Sequence, residues 1–385
     1  MKILHIAPEV LTVPAINGGP VEGIIERIVE HCKDSYAVSI HSKGQIKSDK
    51  YLYVHLPRIV NKLFSNRFFW NTIYYALPYN MLIVLKLKTS LHNFDILHVH
   101  NRPQLVPILK YFFSTKVVIN HIHNEYLHTK TPRYLSSKNI RKIAKYSDAI
   151  ITVSDFITKG FIKDFPAYQE KTYSLYNAIE VKNNSSKVES IRDRYNIKDE
   201  SVILFTGRLV KEKGVHDCID ICIKLINDNF KIKLFILGGD FFKDGRDTNY
   251  IKELKLQAQN YKKSIFFTGF VDSEEASEFY KIASIFLFTP IWDDPSPLVI
   301  YEAMANSLPI VTTRSGGVPS ILMDDDMVFD KGDLLGMSKM VISLINNRSY
   351  AVAKGQSNHD RFYKNFTYSH YCKKIDLIYK SCVDR

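Results

Sequence analysis

The strongest constraint in this sequence is a pattern that occurs twice: an apolar strand-like run, a glycine-bearing loop and a helix-like run. The first copy has Ile3–Ala7 and a loop with Gly18 and Gly19. The second has Val202–Phe205 and a loop that ends at Gly214. Further short apolar runs alternate with helical patterns, which predicts an α/β fold with parallel sheets covered by helices. Continuous apolar runs are typical of strands buried on both faces.

The domain organisation follows from length and from one polar stretch. A chain of 385 residues suits two domains of ordinary size. The stretch Val181–Lys187 is the best linker candidate because it is polar and lies between the two copies of the pattern. We therefore predict an N-terminal α/β domain over 1–182 and a C-terminal one over 183–365. The last segment, 366–385, has helical periodicity, and we expect it to pack back on the first domain.

Net charge restricts the class of partner. The formal charge is +12, which favours nucleic acid, a phosphate-bearing substrate or an acidic membrane surface as partner. The chain has no RNP, zinc-finger or helix-turn-helix signature, so nucleic acid is the weakest of the three.

Cysteine usage and apolar run lengths predict a cytoplasmic protein. There are 5 cysteines and no C-x-x-C pair, and free thiols fit a reducing cytoplasm. Cys218 and Cys222 lie one helical turn apart, which favours a buried helix face over a metal site. The run Ile3–Ala7 ends too soon for a signal peptide, and no run reaches the roughly 20 apolar residues of a membrane span.

The loop of the second copy carries positive charge. Arg208 and Lys213 follow the strand-like run Val202–Phe205 and flank the approach to Gly214. Open α/β sheets bind ligands at the carboxyl ends of their strands. Arginine suits a bidentate phosphate contact and lysine a point contact. A basic loop of this kind is more often simply solvated, so the loop alone does not decide between the two interpretations.

An acidic motif further along favours the functional interpretation. Asp294 and Glu302 are separated by seven residues, and a small-residue helix and a Gly-Gly-Val-Pro turn at Gly316 follow. This run resembles the donor-binding signature of the retaining GT-B glycosyltransferases of family 4 (glycosyl transferases group 1). Asp294 stands where that family usually has glutamate.

The resemblance extends over nearly the whole chain. The further matching segments occur in the family's order: Asp95–Asn101, Val118–Asn124, Ser147–Ser154, Tyr176–Ile179, Gly207–Gly214 and Thr268–Val271. Each segment alone is a weak signal, but their joint order is specific. The resemblance implies a GT-B fold, in which two Rossmann-like domains face each other across a cleft.

The resemblance also implies roles for individual residues. The implied catalytic residues are His123, Arg208, Lys213, Asp294 and Glu302. The implied donor-binding residues are Gly18, Gly19, Arg208, Lys213, Gly238, Gly269, Phe270, Asp294, Ser296, Pro297, Leu298, Val299 and Glu302. The implied acceptor residues are His98, His100, Asn101, His121 and Asn124. The helix that starts near Leu298 would offer N–H groups and its dipole to a diphosphate.

Four histidines at two predicted strand ends have two interpretations. His98 and His100 share one strand face, as do His121 and His123, and four imidazoles can form a zinc site. The cluster lacks the acidic or thiol pattern of a familiar metal motif, so we favour hydrogen bonding to ligands and predict no metal and no cofactor. By alignment with the family, His123 faces the transferred sugar, and His121 is structural or faces the acceptor.

The expected function is transfer of a sugar from a nucleotide-diphosphate sugar, UDP by preference, with retention of configuration. The acceptor is expected to be a glycan or lipid-linked molecule of cell-envelope polysaccharide or lipopolysaccharide synthesis. The basic and aromatic segment Arg58–Lys88 suits the edge of an anionic membrane, although a helical pair with inward aromatics explains it equally well. A GT-B epimerase and a non-catalytic sugar-nucleotide-binding protein are the alternatives, the second kept open by Asp294 in place of glutamate.

Overall fold

A computed structural model describes residues 1–8, 11–15, 19–40, 48–55, 77–90, 93–124, 136–181, 188–239 and 247–384. The chain divides into two units. The first unit comprises Met1–Asn177 together with Tyr368–Arg385, and the second comprises Ala178–Thr367. The proposed linker falls largely on 182–187, outside the described residues.

The first unit contains a parallel sheet. Its strands are β1 Ile3–Ile6, β2 Ser35–Ile40, β3 Tyr51–Val54, β4 Ile96–His100, β5 Val117–Ile122, β6 Ala149–Thr152 and β7 Thr172–Ser174. Their order in the sheet is β3-β2-β1-β4-β5-β6-β7. Strands β1, β4 and β6 are buried along their whole length, as expected where helices cover both faces.

Helices cover this sheet. They are α1 Pro20–His31, α2 Leu77–Thr89, α3 Leu105–Phe112, α4 Ser137–Tyr146, α5 Asp155–Asp164 and α14 Tyr368–Val383. The largest apolar cluster of the unit includes Leu4, Val99 and Leu109, so strand and helix residues share one core. The C-terminal helix α14 contacts α1 and belongs to this unit.

The second unit repeats the architecture. Its strands are β8 Ser201–Thr206, β9 Ile232–Leu237, β10 Ile265–Gly269, β11 Ile285–Phe288, β12 Ile310–Thr313 and β13 Val328–Phe329. Its helices are α6 Val188–Arg194, α7 Val215–Asn227, α8 Asn249–Gln257, α9 Ser273–Ile282, α10 Leu298–Ala305, α11 Val318–Leu322, α12 Leu334–Asn346 and α13 Arg348–Asn365. The strand order is β10-β9-β8-β11-β12-β13, and all pairs are parallel. The predicted α/β class is confirmed.

The strand order indicates where each unit is expected to bind a ligand. β1 lies between β2 and β4, and β8 lies between β9 and β11. Successive strands are added on one side of β1 and β8 and then on the other side, and such switch points in strand order are the usual ligand sites of open α/β sheets. The loop that carries Gly207 and Gly214 directly follows β8, so it begins at the switch point of the second unit.

One covalent feature differs from expectation. Cys32, which follows α1, forms a disulfide with Cys372 of α14, with 5.3 Å between their Cα atoms. The expectation of five thiols is therefore wrong for this pair, because the fold brings together two cysteines 340 residues apart. Cys218, Cys222 and Cys382 are buried and lie outside this disulfide. Among the helices of the described residues, none has the length and apolar character needed to cross a membrane.

Candidate active site

The basic loop of the second unit begins where β8 ends. Gly207 has φ 143° and Gly214 has φ 64°, a conformation that glycine adopts readily. A Cβ on Gly214 would lie 1.8 Å from the carbonyl oxygen of Thr289, so only glycine fits at the start of α7. Between the glycines, Arg208 is exposed and Lys213 ends a single turn of 3-10 helix.

Lys213 and Asp294 form an ion pair between Nζ and Oδ2. Both side chains are mostly buried, and Lys213 also lies 5.5 Å from the centre of the Phe288 ring. The other oxygen of Asp294 accepts a hydrogen bond from the backbone N–H of Ser296 at 3.2 Å. The fold thus brings two predicted site residues into direct contact, and the lysine is neutralised by a carboxylate that also holds the next loop.

Glu302 is held by a residue that the motif does not contain. The hydroxyl of Tyr280, on α9, donates to Oε2 of Glu302 at 2.7 Å, and it lies 2.6 Å from the hydroxyl of Thr206. Burial raises the pKa of the Glu302 carboxyl, and the hydrogen bond from Tyr280 opposes that rise in pKa. Thr206 directly precedes Gly207 and Arg208, so this chain of bonds connects Glu302 to the basic loop. Tyr280 lacked a sequence signal, because it is one aromatic residue on a helix.

The helix start between these carboxylates is open. Pro297 is the residue before α10, and no side chain caps the helix. The N–H groups of Leu298 and Val299 precede the first residue that can bond within the helix, so they are available to a ligand. Ser296 is tied back to Tyr301 by a hydroxyl–hydroxyl contact of 2.8 Å. The arrangement suits an anion at the first turn.

The Gly-Gly-Val-Pro turn packs against the aspartate. Gly316 has φ 49°, and a Cβ there would lie 2.2 Å from the carbonyl oxygen of Asp294. The N–H of Gly317 donates to that same carbonyl at 2.9 Å. The glycines of this motif therefore allow close backbone approach behind Asp294.

Glycines also end the neighbouring strands. Gly238 follows β9, and its N–H donates to the carbonyl of Gly269 at 2.9 Å. A Cβ on Gly238 would lie 1.9 Å from the carbonyl oxygen of Gly207. Phe270, next to Gly269, is 46% exposed. Glycines without side chains thus lie at the ends of β8, β9 and β10, and the exposed aromatic ring of Phe270 lies beside the last of them.

In the first unit, Gly18 lies outside the described residues. Gly19 precedes α1 with φ 111°, and a Cβ there would lie 2.4 Å from Oε2 of Glu22. Pro20 is the first residue of the helix, where its missing N–H costs nothing. Gly19 and Pro20 therefore form a tight entry to α1.

The histidines cluster at the carboxyl ends of β1, β4 and β5, and a fifth one, His5, joins them. Ring nitrogens of His5 and His100 are 3.0 Å apart, as are those of His100 and His123, while those of His98 and His121 are 3.1 Å apart. Burial lowers the pKa of His5 and of His123 to about 3 and holds the pKa of the other three well below 6.5. All five rings are therefore neutral near pH 7.

The predicted acceptor residues include three members of this cluster. His98, His100 and His121 are fully buried, and their ring nitrogens are taken up by other side chains: His98 and His121 bond to each other, and His100 bonds to His5 and His123. Asn101 has φ 49°, and its side-chain oxygen accepts from the backbone N–H of His123 at 2.9 Å. Asn124 is exposed.

Comparison with known proteins decides the family. Residues 25–183 match the Glycosyltransferase Family 4 family, and residues 187–362 match the Glycosyl transferases group 1 family. The chain belongs to the GT4 glycosyltransferases.

Its relatives match over most of their own lengths. This glycosyltransferase is 26% identical to the putative glycosyltransferase YtcC of Bacillus subtilis, over 99% of this chain and 92% of YtcC. It is 29% identical to spore coat protein SA of the same organism, over 84% of this chain and 83% of that protein. The crystal structure of Anabaena HepE in complex with UDP has a TM-score of 0.75 at 16% identity, covering 99% of this chain and all of HepE. The predicted GT-B fold is confirmed.

Proposed function

We propose that this glycosyltransferase takes a sugar from a nucleotide-diphosphate sugar, with UDP as the preferred nucleotide, and transfers it with retention of configuration. The observation that carries the proposal is the carboxyl end of the second sheet. There Lys213, Asp294 and Glu302 adjoin an open helix start and a row of glycines. HepE, which shares the fold, binds UDP and UDP-glucose.

The chemistry assigned to these groups is stabilisation of a leaving diphosphate. An acceptor hydroxyl oxygen bonds to the anomeric carbon while the bond from that carbon to the β-phosphate oxygen breaks. The electron pair goes to the phosphate oxygen, which also takes the hydroxyl proton. Arg208, Lys213 and the N–H groups of Leu298 and Val299 stabilise the developing negative charge. These fixed positive groups do the work that a metal ion does elsewhere, so we propose that no metal or other cofactor is needed.

The carboxylates select the donor. Asp294 accepts hydrogen bonds from hydroxyls of the transferred sugar, and Glu302 accepts from the ribose. We propose that Phe270 stacks on the base and that His123 contacts the transferred sugar. For Glu302 to accept, its carboxyl must be ionised, and the hydrogen bond from Tyr280 favours that state.

A thermal-shift screen against UDP-, GDP-, ADP- and dTDP-sugars tests donor binding, because a ligand that binds the native state raises the melting temperature. We expect UDP-sugars to give the largest shift without added metal and in the presence of EDTA. Absence of a shift with every sugar nucleotide would contradict the proposal. Epimerisation of the bound donor without an acceptor would favour the epimerase alternative, and binding without transfer to any acceptor the non-catalytic one.

The acceptor that we propose is a glycan or lipid-linked molecule of envelope polysaccharide or lipopolysaccharide synthesis, met at the cytoplasmic face of a membrane. Most of the basic and aromatic segment 58–88 lies outside the described residues. Its described end, α2, exposes Met81 and Leu85, and Lys88 lies 4.7 Å from the Phe112 ring of α3. Tyr111, next to Phe112, is 82% exposed. Apolar and cationic side chains together suit an anionic bilayer surface.

Flotation with anionic liposomes tests this surface. We expect the wild type to float with the vesicles and Leu85→Glu to float several-fold less. Leu256→Glu is the matched control, because Leu256 is equally apolar and 62% exposed but belongs to the second unit. Equal flotation of both variants with the wild type would remove the membrane part of the proposal.

A further inference from the structure

The five histidines and one tyrosine form two hydrogen-bonded rows. The first row is His5, His100 and His123, linked by two nitrogen–nitrogen contacts of 3.0 Å. The second row is Tyr379, His98 and His121, with contacts of 2.7 Å and 3.1 Å. The rows stack on each other, since the ring centres of His98 and His100 are 4.3 Å apart, and those of His121 and His123 are 4.2 Å apart.

A metal ion does not suit these rings, although two groups of three have nitrogens within 4.8 Å of one another: His5, His98 and His100, and His100, His121 and His123. The nitrogen lone pair of an imidazole lies in the plane of its ring. Each group contains a stacked pair, His98 with His100 or His121 with His123, at 15° and 26° between planes. Rings stacked in this way cannot both aim a lone pair at one ion, so each link is best occupied by a proton.

Neutrality makes the direction of each row an all-or-none choice. A neutral imidazole has one N–H donor and one bare nitrogen acceptor. If the proton of one ring moves to its other nitrogen, the neighbouring ring must change tautomer too. Otherwise two lone pairs or two N–H groups would face each other. The proton position on His123 is therefore linked through His100 to that on His5, two strands away.

The buried end of the row selects the direction. Among the described residues, Nε2 of His5 is buried without a hydrogen-bond partner. A buried N–H without an acceptor is rarer in proteins than an acceptor that lacks a donor, so Nε2 is the bare nitrogen. Nδ1–H of His5 then donates to Nε2 of His100, and Nδ1–H of His100 donates to Nε2 of His123.

We infer that the first row fixes His123 as its Nδ1–H tautomer, with His5 and His100 as positioning residues for the sugar-contacting ring. The inference deepens the proposed function and rests on it for the role of His123, but not for the tautomer. His123 then offers a hydrogen-bond donor to the donor sugar rather than an acceptor. The second row also ends in a nitrogen without a hydrogen-bond partner: in the described part of the chain, Nε2 of His121 is buried and unpaired.

The experiment is nitrogen NMR on protein labelled with ¹⁵N in histidine, with the His123 signals assigned by their loss in His123→Gln. Two variants at position 100, whose new side chains have the same size, separate the effect of hydrogen-bond direction from that of lost packing. The amide of His100→Asn can still donate to Nε2 of His123, whereas the carboxylate of His100→Asp only accepts. We expect Nδ1–H on His123 in the wild type and His100→Asn, and Nε2–H in His100→Asp.

The outcomes separate the tautomer from the reaction. An Nε2–H tautomer in the wild type overturns the inference, as does an unchanged tautomer in His100→Asp. Stoichiometric zinc that survives dialysis and is lost in His100→Asn also overturns it. The wild-type spectrum decides even if both variants fail to fold. We expect His100→Asp to lower kcat about 10- to 100-fold with little change in donor KM, and His100→Asn to retain most of kcat. A reversed tautomer with unchanged kcat would leave the row in place and remove His123 from the proposed reaction.

Discussion

The two sheets have the same topology at their switch points but opposite chemistry at their carboxyl ends. The first unit gathers five neutral imidazoles that are bonded to one another. The second gathers Arg208, Lys213, Asp294 and Glu302, of which the lysine and one carboxylate already form an ion pair. The fold therefore decides where a site lies, and side chains decide what it does. The carboxyl end of the first sheet is suited to hold a proton on a defined nitrogen, and that of the second sheet is suited to bind an anion.

The largest difference between the units is expected in acid. The pKa of each clustered histidine is lower in the folded state than the 6.5 of a free imidazole, so the unfolded chain binds more protons as the pH falls. For His5 and His123 the stabilisation is complete above about pH 6.5 and is lost as the pH falls toward about 3, and for His98, His100 and His121 it also decreases as the pH falls below 6.5. Each histidine contributes a slope of up to about 1.4 kcal/mol per pH unit in this window. Hydrogen exchange, corrected for the intrinsic pH dependence, should show β4 and β5 losing protection before β8 and β9; the reverse order would contradict the assignment of neutral rings.

The second largest effect is expected at the charged carboxyl end of the second sheet, where loss of a cation should lower catalytic efficiency. Lys213→Ala removes a cation from the proposed diphosphate site and should lower kcat/KM by about 10²- to 10³-fold. Lys231→Ala is the control, since Lys231 forms an exposed ion pair with Asp199 and should change kcat/KM less than about twofold. Steady-state kinetics with the donor found in the screen measures both. Near-wild-type turnover of Lys213→Ala would argue against a phosphate contact.

The third effect is confined to the first unit. The disulfide between Cys32 and Cys372 holds α14, which carries Tyr379 of the second row. Replacing both cysteines by alanine should lower the free energy of unfolding of this unit by about 2–4 kcal/mol, since the closed loop is long. Hydrogen exchange of backbone amides, analysed separately for the two units, measures this loss of stability. Equal destabilisation of the second unit would show that the two do not unfold separately.

The smallest effect tests how Glu302 is held. Tyr280→Phe removes the hydrogen bond that favours the ionised carboxylate, so the pKa of Glu302 should rise further. Donor affinity should fall about 3- to 10-fold near neutral pH, consistent with the loss of one hydrogen bond. The pH below which donor affinity decreases, called the acid limb of the binding profile, should move to a higher value. Calorimetric titration at several pH values measures this. Tyr261→Phe, which loses only a surface hydrogen bond to Asn227, should leave affinity and its pH profile unchanged; an unshifted limb in Tyr280→Phe would separate Tyr280 from Glu302.

The sequence by itself determined the strands, the glycine loops and the order of the family motifs. These features depend on neighbours close in the chain: apolar runs form buried strands, and Gly214 occurs where a positive φ and close backbone approach require it. The motif from Asp294 to Glu302 was readable for the same reason, because its spacing on one loop and one helix is local.

Only the tertiary structure decided which distant residues meet. His5 bonds to His100 across 95 positions, His98 to Tyr379 across 281, and Cys32 to Cys372 across 340. Tyr280 was missed as the partner of Glu302 because nothing on its own helix marks it. Such contacts are set by strand order and helix packing, which one-dimensional spacing does not encode. The neutrality of the histidines is likewise a property of burial, and it arises only when the sheet and its helices exclude water.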